Sequence, residues 1–296
     1  MAQRTSGAAK RRTVNGQIEL LRQTAYRDRK EFFKLLPKAL SDRSPTVRDT
    51  AVLLVTEHRL REAAPLVEPL LYDNDQNVRY DAVECIGILQ IGRKSSPPGL
   101  RRLLRDASSL VRVQAVETLG LLEDQRALPN IVRLLFDKDR IVRSYAASAV
   151  GTLGGFAYLK NIRRGLIREK DELARVGLFE ASFLLGEPKV VPEMLMLLQS
   201  SDYHVRCAVA NTLEVMPLRT PEVQLAIAAL ASVNRKPCGV ADKTTIIRVL
   251  KALRGKLRRI RPGRSKSVLS TYRGIGTPRV GSGRKAIKCW LRELRG

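Results

Sequence analysis

From about Lys30 onward the apolar positions fall into blocks at helical spacing. Val78, Ala82, Ile86 and Leu89 form one set, and Val111, Ala115, Leu119 and Leu122 form the next. Residues three and four apart share one side of a helix, so each set predicts a single buried stripe. A second apolar mark stands ahead of each block, at Leu40, Leu71, Leu104, Leu135, Ile167 and Leu198, and closes a preceding helix. The unit that recurs is therefore helix, short turn, helix.

Arginine sets the register. Arg48, Arg79, Arg112, Arg143, Arg175 and Arg206 follow one another at intervals of 31, 33, 31, 32 and 31 residues. Four positions earlier stand Ser44, Asp75, Ser108, Asp139, Asp171 and Asp202, whose side chains accept from the free N–H groups of a first turn and so predict helix starts. Six positions earlier stand Asp42, Asp73, Asp106, Asp137 and Glu169, with Ser200 breaking the rule. A planar guanidinium pairs well with a carboxylate, so each arginine is expected to bind the acid six residues back and tie the turn to its helix. One helix pair of this size cannot bury both apolar faces, whereas stacked pairs share a continuous core. The predicted fold is an all-α superhelix of about six to seven helix pairs.

On the Asp-x5-Arg spacing, the Val-Arg step before the helix body and the Gly-Leu or Leu-Gly close at Gly120, Gly154 and Gly186, the chain resembles the HEAT-like repeats of the phycobilisome-lyase type. That resemblance runs from roughly Lys30 to Met216 and implies a solenoid whose second helices line a concave face. Such repeats serve many roles, so it implies no particular partner. The ridge two, five and nine residues after each arginine falls outside the apolar stripe and is expected to point away from the core. It reads Asp81, Glu84, Ile88, then Gln114, Glu117, Leu121, then Tyr145, Ser148, Thr152, then Gly177, Glu180, Leu184. A floor of that character repels phosphates and suits a basic or apolar peptide. Asp81, Glu84, Glu117, Tyr145 and Glu180 are the candidate protein-binding residues.

Charge changes the picture at the two ends. The chain of 296 residues carries a net charge of +25, of which +7 falls in residues 1–40, +2 in 41–220 and +16 in 221–296. A field concentrated in terminal segments attracts polyanions. The expected organisation is a basic, disordered segment over 1–14, a solenoid over 15–257 and a basic tail over 258–296. Within the solenoid, a helix bearing Ile18, Leu20 and Leu21 caps the first repeat. A degenerate seventh pair, Pro221 to Val233 and a helix opened by Asp242, closes the stack. That last helix is expected to carry Ile246, Ile247, Leu250, Leu253 and Leu257 on one apolar face and to turn Lys243, Arg248, Lys251, Arg254 and Arg258 outward.

Beyond it the tail is rich in Arg, Lys, Gly, Ser and Pro, and its end predicts a short amphipathic helix with Ile287, Trp290, Leu291 and Leu294 on the docking side. The candidate nucleic-acid contacts are Lys251, Arg254, Arg258, Arg259, Arg261, Arg264, Lys266, Arg284, Lys285 and Lys288. A second cationic band is expected on the first helices of repeats three to five, with Arg101, Arg105, Arg164 and Arg168 as its contacts and Arg102 and Arg133 in neighbouring registers. Whether DNA or RNA is bound is not readable, because no base-reading motif is present. An anionic membrane or a purely protein surface is the alternative target of the tail.

Catalysis finds little support. The only histidines, His58 and His204, lie on separate repeats, and the four cysteines form no CxxC pair, so no metal or cofactor is expected. Deoxyhypusine hydroxylases with similar solenoids use paired His-Glu motifs, and this chain has only Glu57-His58. DNA glycosylases built on similar repeats use aromatics and a carboxylate in a cationic groove, for which Tyr80, Asp81 and Tyr145 are the nearest counterparts. Bilin lyase subunits share the repeat type, yet nothing marks a pigment pocket. No stretch is apolar enough to span a membrane and the N-terminus lacks the apolar core of a secretory signal, so a cytoplasmic binding scaffold is the expectation.

Overall fold

The computed structural model describes residues 13–90, 96–234 and 240–259, and among these every regular element is helical. The chain divides after Glu169 into two compact units. The first holds α1 (Val14–Arg27), α2 (Arg29–Leu40), α3 (Pro45–Glu57), α4 (Ala64–Val67), α5 (Gln76–Leu89), α6 (Pro98–Arg102), α7 (Ser109–Leu121), α8 (Leu128–Arg133), α9 (Arg140–Leu153) and α10 (Leu159–Arg168). The second holds α11 (Glu172–Leu184), α12 (Val191–Met196), α13 (Tyr203–Val215), α14 (Thr220–Asn234) and α15 (Val240–Arg259).

In the first unit the second helices α3, α5, α7 and α9 stack one against the next, and the predicted stripes are their core: Val78, Ala82 and Ile86, like Val111, Ala115 and Leu119, are fully buried. The preceding helices are short. Each of α4, α6 and α8 ends in a tighter 3-10 turn that carries a buried leucine pair, Leu70–Leu71, Leu103–Leu104 and Leu134–Leu135. A methyl group on Gly87 of α5 would meet Thr118 of α7 at 3.0 Å, so this glycine sets how closely those two helices approach. In the second unit α11, α13 and α15 pack in sequence, with Phe179 and Phe183 filling the core of α11.

The arginine ladder departs from the expected pairing. Arg112 sends Nε and Nη2 not to Asp106 but to both carboxylate oxygens of Asp137, in the following repeat, at 2.9 and 2.7 Å. Its Nη1 donates to the backbone carbonyls of Asp106 and Ala107 at 2.9 and 3.1 Å. Arg48 repeats this with Asp73, Arg79 with Asp106, and Arg143 with Glu169. The acid six residues back is engaged locally instead: Oδ1 of Asp42, Asp73, Asp106 and Asp137 accepts from the N–H two residues on, at 2.8–2.9 Å. Each guanidinium therefore ties its own turn through carbonyls and its neighbour through a carboxylate. Asp42 has no preceding repeat, and Gln17 of α1 donates to its Oδ2 at 3.1 Å in the arginine's stead.

The ladder changes in the second unit. Where a carboxylate would face Arg175 there is Ser200, whose hydroxyl donates to Glu172, and the Arg175 guanidinium lies over the Phe179 ring at 5.2 Å. Arg206 recovers the pattern with the fully buried Asp242, 36 residues away. Asp242 stands six before Arg248, a seventh Asp-x5-Arg copy that the lengthened spacing conceals. Arg248 itself turns back to Glu214 and Asn211 on α13.

Helix starts follow the expected chemistry in four of six repeats: Asp75, Asp139, Asp171 and Asp202 accept first-turn N–H groups, while Ser44 and Ser108 make no such bond. Of the three glycines in the helix close, only Gly186 adopts a positive φ, of 97°. Gly154 is instead required by contact, since a Cβ there would lie 2.4 Å from the Val150 carbonyl oxygen, and Gly120 has open space around it.

Candidate functional site

Three surfaces collect the candidate residues. The first is the ridge of the second helices. Position two after the arginine does not point outward: Asp81 is 8% exposed and Gln114 is 6% exposed, because tight stacking of α5 on α7 draws that position into the seam. Position five remains half-exposed, and there Glu84 and Glu117 sit on adjacent helices. Tyr145 of α9 is partly covered, and burial, then the nearby Glu117 charge, then Tyr80 raise its phenol pKa above the ordinary tyrosine value. Tyr80, Glu117 and Tyr145 thus form one neighbourhood across α5, α7 and α9, acidic and aromatic in character. Glu180 occupies the equivalent half-exposed position on α11 of the second unit.

The second surface lies on α15. An open pocket of about 720 Å³ is lined by Ala231, Ile247, Leu250, Lys251, Arg254, Gly255, Arg258 and Arg259, and Ile247, expected on the apolar face of the helix, is 49% exposed. All four cations are exposed, and none is paired with a described residue. The helix is anchored from below: Lys256 donates to the Met216 carbonyl at 2.8 Å, and burial pulls its pKa under the ordinary lysine value. The remaining tail candidates, Arg261, Arg264, Lys266, Arg284, Lys285, Lys288 and the docking set Ile287, Trp290, Leu291 and Leu294, lie outside the described residues.

The third surface is the first-helix face of residues 64–168. Arg105, Arg164 and Arg168 are exposed there, but Arg101 is not in the same condition. It donates to Asp124 at 2.7 Å, and Ser96 hydrogen-bonds the same carboxylate. Burial alone would raise the Asp124 carboxyl, yet the bonds from Ser96, Arg101 and the Arg126 N–H hold its pKa below the ordinary value. Neighbouring arginines lie on aromatic rings: Arg102 over Tyr72 at 4.8 Å, and Arg164 and Arg168 over Phe136 at 5.7 and 5.8 Å. Those two rings were not singled out from the sequence. The clue was available, since Tyr72 and Phe136 fall immediately before a repeat aspartate, where a solvent-facing residue is expected.

No group of three or more metal-ligating side chains gathers among the described residues. His204 Nδ1 contacts Asp202 at 2.9 Å, and His58 packs edge-on against Tyr26. Cys85 is buried in α5, and burial pushes its thiol up to about 12. No described helix is long and apolar enough to cross a membrane.

Residues 32–109 and 96–182 match the HEAT repeat family, together about half of the chain. No curated protein matches the sequence significantly. Among solved structures, the complex of CpcE and CpcF of phycocyanin lyase from Nostoc sp. PCC7120 is similar at 16% identity and a TM-score of 0.54, covering 74% of this chain and 94% of that one. Kap121p is similar at 13% identity and a TM-score of 0.50, over 86% of this chain and 33% of its own. An archaeal HEAT-like repeats protein from Thermococcus onnurineus NA1 aligns at 14% identity over 81% of this chain and 94% of its own, with a TM-score of 0.39. At these identities the likeness is one of fold.

Proposed function

Because the chain belongs to the HEAT repeat family, we propose that it is a binding scaffold without a reaction of its own, holding a protein partner on its second helices and nucleic acid on its cationic C-terminal helix and tail. The observation that carries this reading is the segregation of charge. The segment 41–220 is nearly neutral, while 221–296 carries a net +16 and places Lys251, Arg254, Arg258 and Arg259 around one cavity. Four exposed cations on one pocket, with no partner among the described residues, favour a polyanion, whose condensed counterions are released on contact. The half-exposed Glu84, Glu117 and Glu180 favour the opposite partner, a basic peptide, and disfavour phosphate.

The test replaces Lys251, Arg254, Arg258 and Arg259 together by serine and follows binding of labelled duplex and single-stranded oligonucleotides over a salt series. Affinity is expected to fall, and the log–log slope to shrink by about 0.9 per lost contact on duplex or about 0.7 on single strands. Unchanged nucleic-acid binding, with loss of binding to anionic vesicles instead, would move the cap to a membrane surface. On the second helices, substituting Glu84 and Glu117 of the first unit together with Glu180 of the second by glutamine should weaken recovery of a basic peptide partner. Equal recovery would remove the protein site.

A further inference from the structure

The first-helix face of residues 64–168 carries a pattern that the cap does not. Its segments Pro98–Arg105, Leu128–Phe136 and Leu159–Arg168 contain eight Lys or Arg and no Asp or Glu, while the segment 64–72 that supplies Tyr72 contains Glu68 and no Lys or Arg. Four of the acids that border it are engaged, Asp106 by Arg79, Asp137 by Arg112, Glu169 by Arg143 and Asp124 by Arg101, while Glu123 beside Asp124 is exposed. Arg102, Arg105, Arg133, Arg164 and Arg168 are all exposed, and none pairs with a carboxylate among the described residues. These pairs neutralise four acids and leave the outer arginines without a carboxylate partner among the described residues.

Two aromatic rings punctuate that row at the same register, two repeats apart. Tyr72 is 55% exposed and Phe136 is 46% exposed. Their placement is specific. A methyl group on Gly99 of α6 would meet Leu71 Cδ1 at 2.8 Å, the Tyr72 hydroxyl at 3.2 Å and its Cε2 at 3.3 Å, so the ring packs against the backbone of the next repeat's first helix. Arg102 then lies over the Tyr72 ring, while Arg164 and Arg168 lie over Phe136. A guanidinium laid on an aromatic face keeps its edge donors free, so it can bind phosphate while the exposed part of the ring, or the guanidinium plane itself, receives a flat base.

We propose that this face is a second nucleic-acid surface, specific for single strands, in which Arg102, Arg105, Arg133, Arg164 and Arg168 hold successive phosphates and Tyr72 and Phe136 stack bases. The proposal rests on the reading of nucleic acid as a partner but places it on a different unit from the cap. Single strands are selected because a duplex hides the base faces that the rings need, whereas unpaired bases stack on aromatics and arginine planes. An acidic protein segment would satisfy the arginines but make no use of the exposed part of either ring. Packed helices stand about 8–10 Å apart, so two rings two repeats apart are spanned by a few extended nucleotides.

The experiment uses the full chain carrying the four serine substitutions in the cap, with labelled oligouridine of about fifteen nucleotides, the same length of abasic sugar-phosphate strand, and polyglutamate as competitor. The cap-substituted chain should retain binding to oligouridine with a log–log salt slope near −3.5 if five phosphates are neutralised, at about −0.7 each. Adding Arg102→Ser, Arg105→Ser and Arg133→Ser should lower affinity by more than about tenfold and flatten the slope by about two. Tyr72→Ala and Phe136→Ala should each weaken oligouridine by about tenfold and leave the abasic strand unchanged, a difference that lost folding would not produce. All these side chains are exposed, and an unchanged thermal melt checks that the variants fold.

Binding that survives in the cap-substituted chain but ignores both the arginine and the aromatic changes overturns the proposal. So does binding that disappears with the cap alone, a result that would leave the C-terminal reading standing. Equal loss on oligouridine and the abasic strand in the aromatic variants would reject base stacking, and preferential binding of polyglutamate would reassign the face to an acidic protein. If the unsubstituted chain binds neither strand, the cap reading fails with it.

Discussion

The ladder seam and the first-helix face use the same residue for opposite ends. Arg112 is 5% exposed and spends its donors on Asp137 and two carbonyls, so it works inside the structure. Arg105, seven residues earlier and one short turn away, is exposed and faces no carboxylate among the described residues. Position relative to the stacking direction decides which: a side chain aimed along the stack meets the next repeat's acid, and one aimed outward meets solvent. Arginine content alone therefore says little about binding in such a chain. What matters is which guanidiniums the fold has already used.

Arg112→Ala breaks the seam most severely. It leaves the Asp137 carboxylate nearly buried without its partner and two carbonyls with a lost donor, and such losses cost about 3–5 kcal/mol. Urea denaturation should show the drop, and Arg112→Lys should recover only part of it because an ammonium cannot reproduce the bidentate fork. Gly87→Val attacks the same seam by packing rather than by charge. Its Cβ starts 3.0 Å from Thr118, and overpacking of that kind costs about 1–3 kcal/mol, read in the same titration.

Acid probes the seam's carboxylates. Burial alone would raise the Asp73 carboxyl, but hydrogen bonds from Arg48 and the Asp75 N–H more than offset it and hold the pKa below the ordinary carboxylate value. A group with a depressed folded pKa stabilises above its unfolded value and loses that contribution as pH falls through the folded one. The denaturation midpoint should therefore stay level near neutrality and decline once pH drops below about 4. Asp124→Asn should shallow that decline, since Asp124 is lowered in the same way. The smallest effect belongs to Arg105→Ser, expected within about 0.5 kcal/mol of the parent, as for surface substitutions that remove no buried partner. A large loss there would mean that the outer arginines are also structural.

The repeat, its helix pairs and the buried stripes were legible because their period is long and the apolar spacing is helical: Val78, Ala82 and Ile86 are core as the pattern demands. The direction of the ladder was not. A carboxylate six residues back and one in the next repeat recur with the same period, so spacing alone cannot say which one Arg112 reaches. Asp81 was misjudged for a related reason, because helical periodicity identifies the stripe facing the first helices but not the flank buried by the adjacent second helix. Asp242 escaped notice as the seventh acid because 36 residues separate it from Arg206 instead of the usual 25–27. At the first-helix face the charge was legible and so was the solvent-facing register of Tyr72 and Phe136, but spacing alone does not bring an arginine of the next repeat over each ring.

The decisive measurement is binding of a labelled single-stranded oligonucleotide by the full chain, followed by fluorescence anisotropy between about 50 and 200 mM salt. Tight binding is expected at the low end, with a steep linear fall of log affinity with log salt, as exposed cations on the cap and the first-helix face release counterions from phosphate. Absence of binding at low salt, or an affinity indifferent to salt, would contradict it and leave the repeats as a scaffold for proteins alone.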